Sequence, residues 1–323
     1  TAYLFGEKCY CLGADNKKHI NKIRGPSFKY CYGDEVATWD EGVFQMLKSR
    51  LDKSYSKFDG TCNPEGPSHW FKKFLDSDAD IFQQKYTLYD NPFLAKEVLQ
   101  SLETEYRGTV FFDRYILGNW KAAEGTIYML FADETEKFLV DKVNEQLAIV
   151  TIGVDYGAGK SKIKFVASGI TYNFRNVYVL DEMDLSGVYD PEQIYEKFIE
   201  FYKRVYDKYD KCQYAFCDYG ALGNVITLGL IRRCQRERLP VQIVDCSKGL
   251  INDRIFLSST LMAQRRFFIL RKNTIITKAF QDALWNSKSQ DERLDDGTTD
   301  IDSLDAFEYS INSFYENLIN SRR

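Results

Sequence analysis

The sequence predicts an α/β protein of two domains, and three observations carry that expectation. The chain is 323 residues long, about the length of two ordinary domains. Its second half alternates β-branched and aromatic runs with amphipathic stretches in the order βββαβαβα, followed by terminal helices. Its first part holds two short apolar runs that end in polar residues, with a helix-period segment between them.

From the N-terminus, "SFKYCYGDEV" (27–36) reads as a buried strand ending in two acids, and "YSKFDGTCNP" (55–64) as another ending in small polar residues. Between them, "DEGVFQMLKSRLDK" spaces Val43, Leu47 and Leu51 four apart, a helical stripe. "SHWFKKFLDS" is a short helix after Pro64. Residues 87–125 contain an early Asn-Pro and read as helices without strands, a lid or connector. From 126 onward "QLAIVTIGVD", "KIKFVASGI" and "NVYVLDEMD" are three successive strands. "DPEQIYEKFIEFYKRVYDKY" is a helix with Asp190 as N-cap and Pro191 in its first turn, and Ile194, Phe198, Phe201 and Val205 form its apolar stripe. "QYAFCD" is a fourth strand ending at Asp218, "GALGNVITLGLIRRCQRER" a helix and "PVQIVDC" a fifth strand. "INDRIFLSSTLMAQRRFF" reads as one more helix. "DSLDAFEYSINSFYENLI" closes the chain as a helix with Leu304, Phe307, Ile311, Phe314 and Leu318 on one stripe. This is the order of a ribonuclease-H-like fold, in which three strands form a meander and the fourth lies parallel to the first. Asp155 and Asp218 are then expected to end neighbouring parallel strands, at the carboxyl edge where sites of open α/β sheets lie.

Composition narrows the function classes. Hydrophobic content of 44% with 28% charged residues suits a soluble globular protein with substantial cores. No apolar run approaches the roughly 20 residues of a membrane span, and no signal-peptide pattern opens the chain. No membrane partner is expected. The chain does not begin with Met, so a fragment or a trimmed form is expected. Eight Cys without zinc-type spacing and only two His argue against a zinc site and for reduced, mostly buried thiols. A net charge of −4 argues against a uniformly basic surface and leaves room for a local basic stripe.

"GVDYGAGKSK" (153–162) imitates a phosphate-binding loop, and counting rejects it. The G-x-x-x-x-G-K-[ST] pattern needs a Gly five places before Gly159, where Val154 stands. The next residues, "KIKFVASGI", read as a strand rather than the helix that would aim N–H groups at phosphate. Strand, glycine turn, strand is a hairpin, and Asp155 at the first strand's end becomes the residue of interest. Asp302 and Asp305 are three apart near the start of the last helix, on one face. Carboxylates are the ligands that hard divalent ions select. Two such ions about 3.5–4 Å apart promote phosphodiester cleavage. The residues thus point to Asp155, Asp218 and Asp305 as a metal site, with Asp302 open between a part in it and an N-cap role. Asp181 and Glu182 end the third strand and read either as further members or as a solvated edge. In the N-terminal part, Asp34 and Glu35 at the end of an apolar strand match the second nucleotide motif of triphosphatases, where Asp holds Mg²⁺ and Glu polarises water. Thr61 and Asn63 end the next strand, where a γ-phosphate sensor or an ordinary turn fits.

Taken together, "IRGPSFKYCYGDEVATWDEGVFQMLKSRLDKSYSKFDGTCNPEGPSHWFKKFL", "NPFL…YRGTVFFDRYILGNWKAAEGTIY", "IGVDYG", "FCDYGA" and "DSLDAFEYS" resemble the large terminase subunit of tailed bacteriophages over nearly the whole chain. The resemblance implies a partial P-loop-type ATPase domain over 1–86, whose phosphate loop would lie upstream of this chain, a helical lid over 87–125, and a ribonuclease-H-like nuclease domain over 126–323. It implies that Asp34 and Glu35 are the Mg²⁺ and water-activating acids and that Thr61–Asn63 couple hydrolysis to movement; Arg24 stands where some relatives place an arginine finger acting on the neighbouring subunit, and reads otherwise as a surface Arg before a Gly-Pro turn. It implies that Asp155, Asp218 and Asp305 hold two Mg²⁺ or Mn²⁺ ions, with Asp302 standing where some relatives place His. Expected partners are ATP in the complete protein, double-stranded DNA, a portal protein and procapsid, a small terminase subunit and further copies in a ring on the portal, in the cytoplasm of an infected bacterial host. Arg232, Arg233, Arg236 and Arg238 form one basic cluster, and Arg265, Arg266, Arg271 and Lys272 another. Either suits sequence-independent phosphate contacts or a solvated helix face. The rival readings are a ribonuclease-H-like resolvase or integrase with a scaffolding N-terminal part, and a non-enzymatic capsid or portal interaction protein with structural acids.

Overall fold

The computed structural model describes residues 2–4, 6–67, 69–107, 109–121, 124–157, 162–187, 189–246, 248–286, 292–297 and 299–321. The chain forms two compact units, one of residues 1–94 with 112–122, the other of 95–111 with 123–323. The stretch 87–125, expected as a lid, is therefore shared between the units. No helix among the described residues is long and apolar enough to cross a membrane.

In the first unit, β1 (Ala2–Leu4) and β2 (Glu7–Cys9) form an antiparallel ribbon, and α1 (Ile20–Ile23) precedes β3 (Tyr30–Gly33). The chain then crosses through α2 (Glu41–Lys48) to β4 (Lys57–Gly60), which pairs in parallel with β3 from Tyr30↔Lys57 to Gly33↔Gly60. Asp40 caps α2 by accepting from the N–H of Gly42. The helix buries Val43, Phe44 and Leu47 and ends at Lys48. Leu51 lies beyond its end and still packs on the same cluster. α3 (Trp70–Leu75) closes a small core in which the Phe44 ring meets Phe58 and Phe71 edge-on. Arg114, in a π-helical turn at Phe112–Ile116, is buried and pairs with Glu65 at 3.1 Å.

In the second unit, α4 (Lys96–Tyr106), α5 (Met129–Asp133) and β5 (Leu139–Val140) lead to the three-stranded meander β6 (Leu147–Asp155), β7 (Ile163–Thr171) and β8 (Val177–Leu185). Then come α6 (Pro191–Tyr209), β9 (Tyr214–Cys217), α7 (Ala221–Arg236), β10 (Gln242–Asp245), α8 (Ile251–Ala263), β11 (Phe267–Leu270), α9 (Thr274–Asp282), α10 (Ile301–Asn312) and α11 (Tyr315–Asn320). The strands make one sheet in the order β10-β9-β6-β7-β8-β11-β5. β9 runs parallel to β6, and β10 parallel to β9. The meander with parallel additions is the ribonuclease-H-like arrangement expected from the sequence. β6 and β7 pair antiparallel from Leu147↔Thr171 to Asp155↔Lys164, so the glycine segment joins two strands. Residues 158–161, with the Gly159-Lys160-Ser161 near-match, lie outside the described residues.

The period of two along β6 sorts its faces. Val150, Ile152 and Val154 enter the core with Phe198, Phe201 and Val205 of α6. Thr151 and Gly153 face α10, where the Thr151 hydroxyl donates to the Ser310 carbonyl at 2.7 Å. A Cβ at Gly153 would stand 1.7 Å from the Ala306 carbonyl oxygen, so strand and helix backbones are in direct contact there. Asp190 caps α6 in a reciprocal box with Gln193, with Pro191 in the first turn, as the sequence predicts.

Two elements correct the sequence reading. The helix expected over 251–268 stops at Ala263, Arg265 takes a left-handed φ of 57°, and Phe267–Leu270 form β11 between β8 and β5. The closing helix breaks at Ser313–Phe314, so Leu318 sits on the separate α11. α9, a helix of β-branched residues at its start, was not anticipated either.

Candidate active site

Each unit brings one set of acids together. In the first, the parallel register of β3 and β4 carries past Gly33 and Gly60, so Asp34 and Glu35 stand beside Thr61 and Asn63. The Thr61 hydroxyl donates to Asp34 Oδ1 at 2.8 Å. The backbone and side-chain nitrogens of Asn63 donate to the two carboxylate oxygens of Glu35, each at 3.3 Å. Backbone bonds Val36 N–H to Thr61 O at 2.8 Å and Thr61 N–H to Gly33 O at 2.9 Å lock the two loops. Glu35 has φ 48° and ψ 49°, a left-handed conformation that a non-glycine residue holds only when its surroundings impose it. Its carbonyl is gripped by the N–H and hydroxyl of Thr38. Arg24 is exposed at the end of α1, and none of the described contacts joins it to these acids.

In the second unit, Asp155 ends β6 and Asp218 follows β9, on adjacent parallel strands. Asp155 continues the odd-numbered face of β6, the face covered by α10, and α10 carries Asp302 and Asp305 in its first turns. Asp155 is only 9% exposed. Burial first, then the charges of Asp305 and Asp302, push its carboxyl up to about 7, with Asp218 adding to the rise and the Gly157 N–H opposing it. Burial likewise raises Asp302.

The other acids have protein partners. Asp218 accepts from the Gly220 N–H at 2.8 Å and pairs with Lys248 at 2.6 Å. Asp305 Oδ1 receives Arg254 at 2.9 Å and Arg293 at 3.1 Å. Asp302 accepts from the Lys162 N–H at 3.0 Å. It is not the helix cap: Asp300 is, accepting from Ser303 and fixed by buried Lys164, which also binds Asp184 at 3.0 Å. With these partners in place, no three His, Cys, Asp or Glu side chains among the described residues stand close enough to close on a single ion. The donors are all hard carboxylate oxygens, and among the described residues no cation pairs with the buried Asp155, so the chemistry suits a divalent metal.

Asp181 and Glu182 are neither members of this set nor a solvated edge. Asp181 is bound by Arg204 at 3.0 Å and Lys272 at 2.8 Å, and Glu182 accepts the N–H groups of Ile275 and Ile276 at the start of α9. Of the arginines expected at DNA, Arg266 is a core residue, 1% exposed, donating to the carbonyls of Arg175, Phe174 and Leu318. Arg265 pairs with Glu134, and Arg271 with Glu136 and Asp141, so that cluster is committed within the protein. Arg233 is shared between Glu192 and Glu237, whereas Arg232 and Arg236 are exposed on α7. All eight cysteines are free thiols, four of them buried.

The sequence reading missed Lys248, Arg254, Arg293 and Glu308. A signal existed for one of them: Glu308 lies three residues after Asp305 in a helix otherwise lined with apolar and small residues, and a charge in such a place requires a buried partner.

Residues 4–132 match the sequence model of the family described as terminase large subunit, T4likevirus-type, N-terminal. No curated protein matches the chain. Among solved structures, the large terminase of a thermophilic bacteriophage superposes with a TM-score of 0.79 at 22% identity, over 94% of this chain and 73% of that one. Its complex with ADP gives 0.75 at 21%, over 93% and 72%. Its complex with ATP-gamma-S gives 0.73 at 20%, over 90% and 72%. The chain thus matches the N-terminal model of the terminase large subunit over its first part, and shares its fold along nearly its whole length with a large terminase.

Proposed function

We propose that the second unit is a metal-dependent endonuclease that cuts concatemeric double-stranded DNA, and that the first unit belongs to an ATPase that drives that DNA into a procapsid. The observation that carries the nuclease reading is Asp155, a buried carboxylate at a strand end whose charge is opposed by Asp305, Asp302 and Asp218. Three stretches distant in sequence supply acids to one sheet edge, an arrangement costly to stability that a proton on Asp155 or a bound cation relieves. Asp155, Asp218 and Asp305 are the residues to hold Mg²⁺ or Mn²⁺. Bound there, a pair of such ions supplies Lewis acidity toward the attacking water and the leaving oxygen. Lys248 neutralises Asp218, and Asp302 steadies the start of β7 through the Lys162 N–H. Arg232 and Arg236 on α7 offer exposed positive charge to DNA phosphates.

The ATPase reading is supported by the joined Asp34–Thr61 and Glu35–Asn63 pairs. Asp34 is the residue to hold the nucleotide's Mg²⁺ and Glu35 to orient water. Thr61 and Asn63 report occupancy to the loop after β4, and Arg24 is a candidate finger toward a neighbouring copy. The thermophilic phage's large terminase, of like fold, was solved with ADP and with ATP-gamma-S, which favours nucleotide binding by the complete protein. A portal, a procapsid, a small terminase subunit and a ring of copies in an infected host's cytoplasm are the partners and place this reading implies.

Digestion of plasmid DNA with Mn²⁺ tests the nuclease assignment. Asp155→Ala, Asp218→Ala and Asp305→Ala are each expected to abolish cleavage while the fold is retained. Cleavage persisting in all three rejects the site.

A further inference from the structure

Asp305 differs from the other acids of the site in being held from the core side. Two guanidinium groups reach it, Nη1 of Arg254 at 2.9 Å and Nη1 of Arg293 at 3.1 Å, and both bind the same oxygen, Oδ1. They arrive from different elements, Arg254 from α8 and Arg293 from the segment that bridges to Trp285. One turn of α10 further on, buried Glu308 takes up their remaining charge. Its Oε2 pairs with Arg254 at 3.0 Å, and its Oε1 pairs with Arg293 and accepts from the Tyr128 hydroxyl at 3.1 Å. Arg293 also donates to the Tyr128 hydroxyl at 3.2 Å. Arg254 lies over the Tyr309 ring, 5.5 Å from its centroid.

Neutralising Glu308 requires only one cation, and a buried ion cluster of this size is an expensive way to fill a core. Arginine's planar fork gives direction as well as charge. Here Glu308 and Tyr128 hold one arm of the Arg293 fork while its other arm binds Asp305, and Arg254 Nη1 bridges Asp305 and Glu308, so both guanidinium groups converge on one oxygen of a partly exposed aspartate. We propose that Arg254 and Arg293 are positioning residues of the nuclease site: by pinning Oδ1 of Asp305 they orient its carboxylate, so that Oδ2 is left to a divalent cation shared with Asp155. The inference rests on the nuclease reading of that site.

The test is Mn²⁺ binding to the full chain, followed by calorimetric titration and by the electron paramagnetic resonance of free Mn²⁺, with urea unfolding as the measure of folding. The variants are Arg254→Lys, Arg254→Met, Glu308→Gln and, as a control for the site, Asp155→Asn. Arg254→Lys retains the charge but not the planar guanidinium whose Nη1 bridges Asp305 and Glu308, and it is expected to weaken Mn²⁺ binding about 10- to 100-fold, the usual consequence of losing a residue that orients a ligand. Raising Mn²⁺ restores cleavage in Arg254→Lys but not in Asp305→Ala, a rescue that a merely structural arginine would not show. Should Arg254→Met fail to fold, Arg254→Lys decides. Should that fail too, Glu308→Gln decides, since it loosens both forks without touching Asp305, and weakened binding is again expected. Wild-type Mn²⁺ affinity in folded Arg254→Lys and Glu308→Gln overturns the inference and leaves the nuclease reading standing. Mn²⁺ binding that is absent from the wild type, or unchanged in Asp155→Asn, overturns the nuclease reading and this inference with it.

Discussion

Replacing Gly153 by alanine probes how tightly α10 is seated on β6. The new Cβ would meet the Ala306 carbonyl oxygen at 1.7 Å, the Ser310 nitrogen at 2.8 Å and the Ala306 carbonyl carbon at 2.9 Å. Nonbonded carbon contacts are comfortable near ~3.5–4.0 Å. The helix must therefore withdraw by about 2 Å, because what it meets is backbone and cannot swing aside. Overpacking of this kind costs about 1–3 kcal/mol. Withdrawal also stretches two buried hydrogen bonds, Thr151 to Ser310 at 2.7 Å and Ser310 to Ser168 at 2.6 Å, each worth about 1 kcal/mol. Alanine returns about 0.5–1 kcal/mol by stiffening the unfolded chain, so the expected loss is about 2–4 kcal/mol. Gly169→Ala is the control. Its Cβ would meet only the tips of Leu147 and Leu180 at 2.8 to 3.0 Å, and these can shift. Urea unfolding with an unchanged m-value reads the difference as a displaced midpoint. Because α10 carries Asp302 and Asp305, Mn²⁺ affinity should fall along with stability. If Gly153→Ala proves no more damaging than Gly169→Ala, the close docking of α10 on β6 is wrong.

Other outcomes follow from the same contacts. With metal chelated, Asp155 should make the protein less stable as pH rises. Its folded pKa of about 7 exceeds the ordinary 3.8, so the folded state keeps a proton that the unfolded chain releases. Its contribution is most favourable below pH 4 and is lost progressively up to about pH 7. Asp155→Asn, which does not titrate, should be more stable than wild type at pH 8 by up to about 4 kcal/mol, and parallel urea midpoints across pH would contradict this. Arg266→Ala strands the carbonyls of Phe174, Arg175 and Leu318, of which the last is buried, and empties a core position. It should cost about 3 kcal/mol or more by urea unfolding and leave the salt dependence of DNA binding unchanged. Arg232→Ala with Arg236→Ala should do the reverse, preserving stability and reducing the slope of log affinity against log salt by about 2 in a filter-binding titration.

Much of the frame was legible because strand order constrains space. Once β6, β7 and β8 read as a meander and β9 as a parallel addition, Asp155 and Asp218 had to be neighbours, and β9 returned as β6's partner. The Asp34–Glu35 and Thr61–Asn63 loops were legible for the same reason, each following one of two parallel strands. What escaped was set by tertiary context. β11 is a four-residue strand directly after an arginine pair at a helix end, and periodicity alone cannot tell so short an apolar run from another helical turn. β5 has two residues and exists only because β11 offers an edge. Arg266 looked like surface charge, because the carbonyls that hold it belong to Phe174, Arg175 and Leu318, far off in sequence. Arg293 gave no sign of its burial.

The seating of α10 against β6 bears on the order in which the candidate site comes together. While the chain is being synthesised, the meander has everything it needs to pair long before residues 300–312 leave the ribosome. The acids on that stretch are made after those of β6 and β9, so under the nuclease reading the set stays incomplete until α10 has been made and has docked. Assembly of the acids is thereby tied to the seating of one helix rather than to the meander alone.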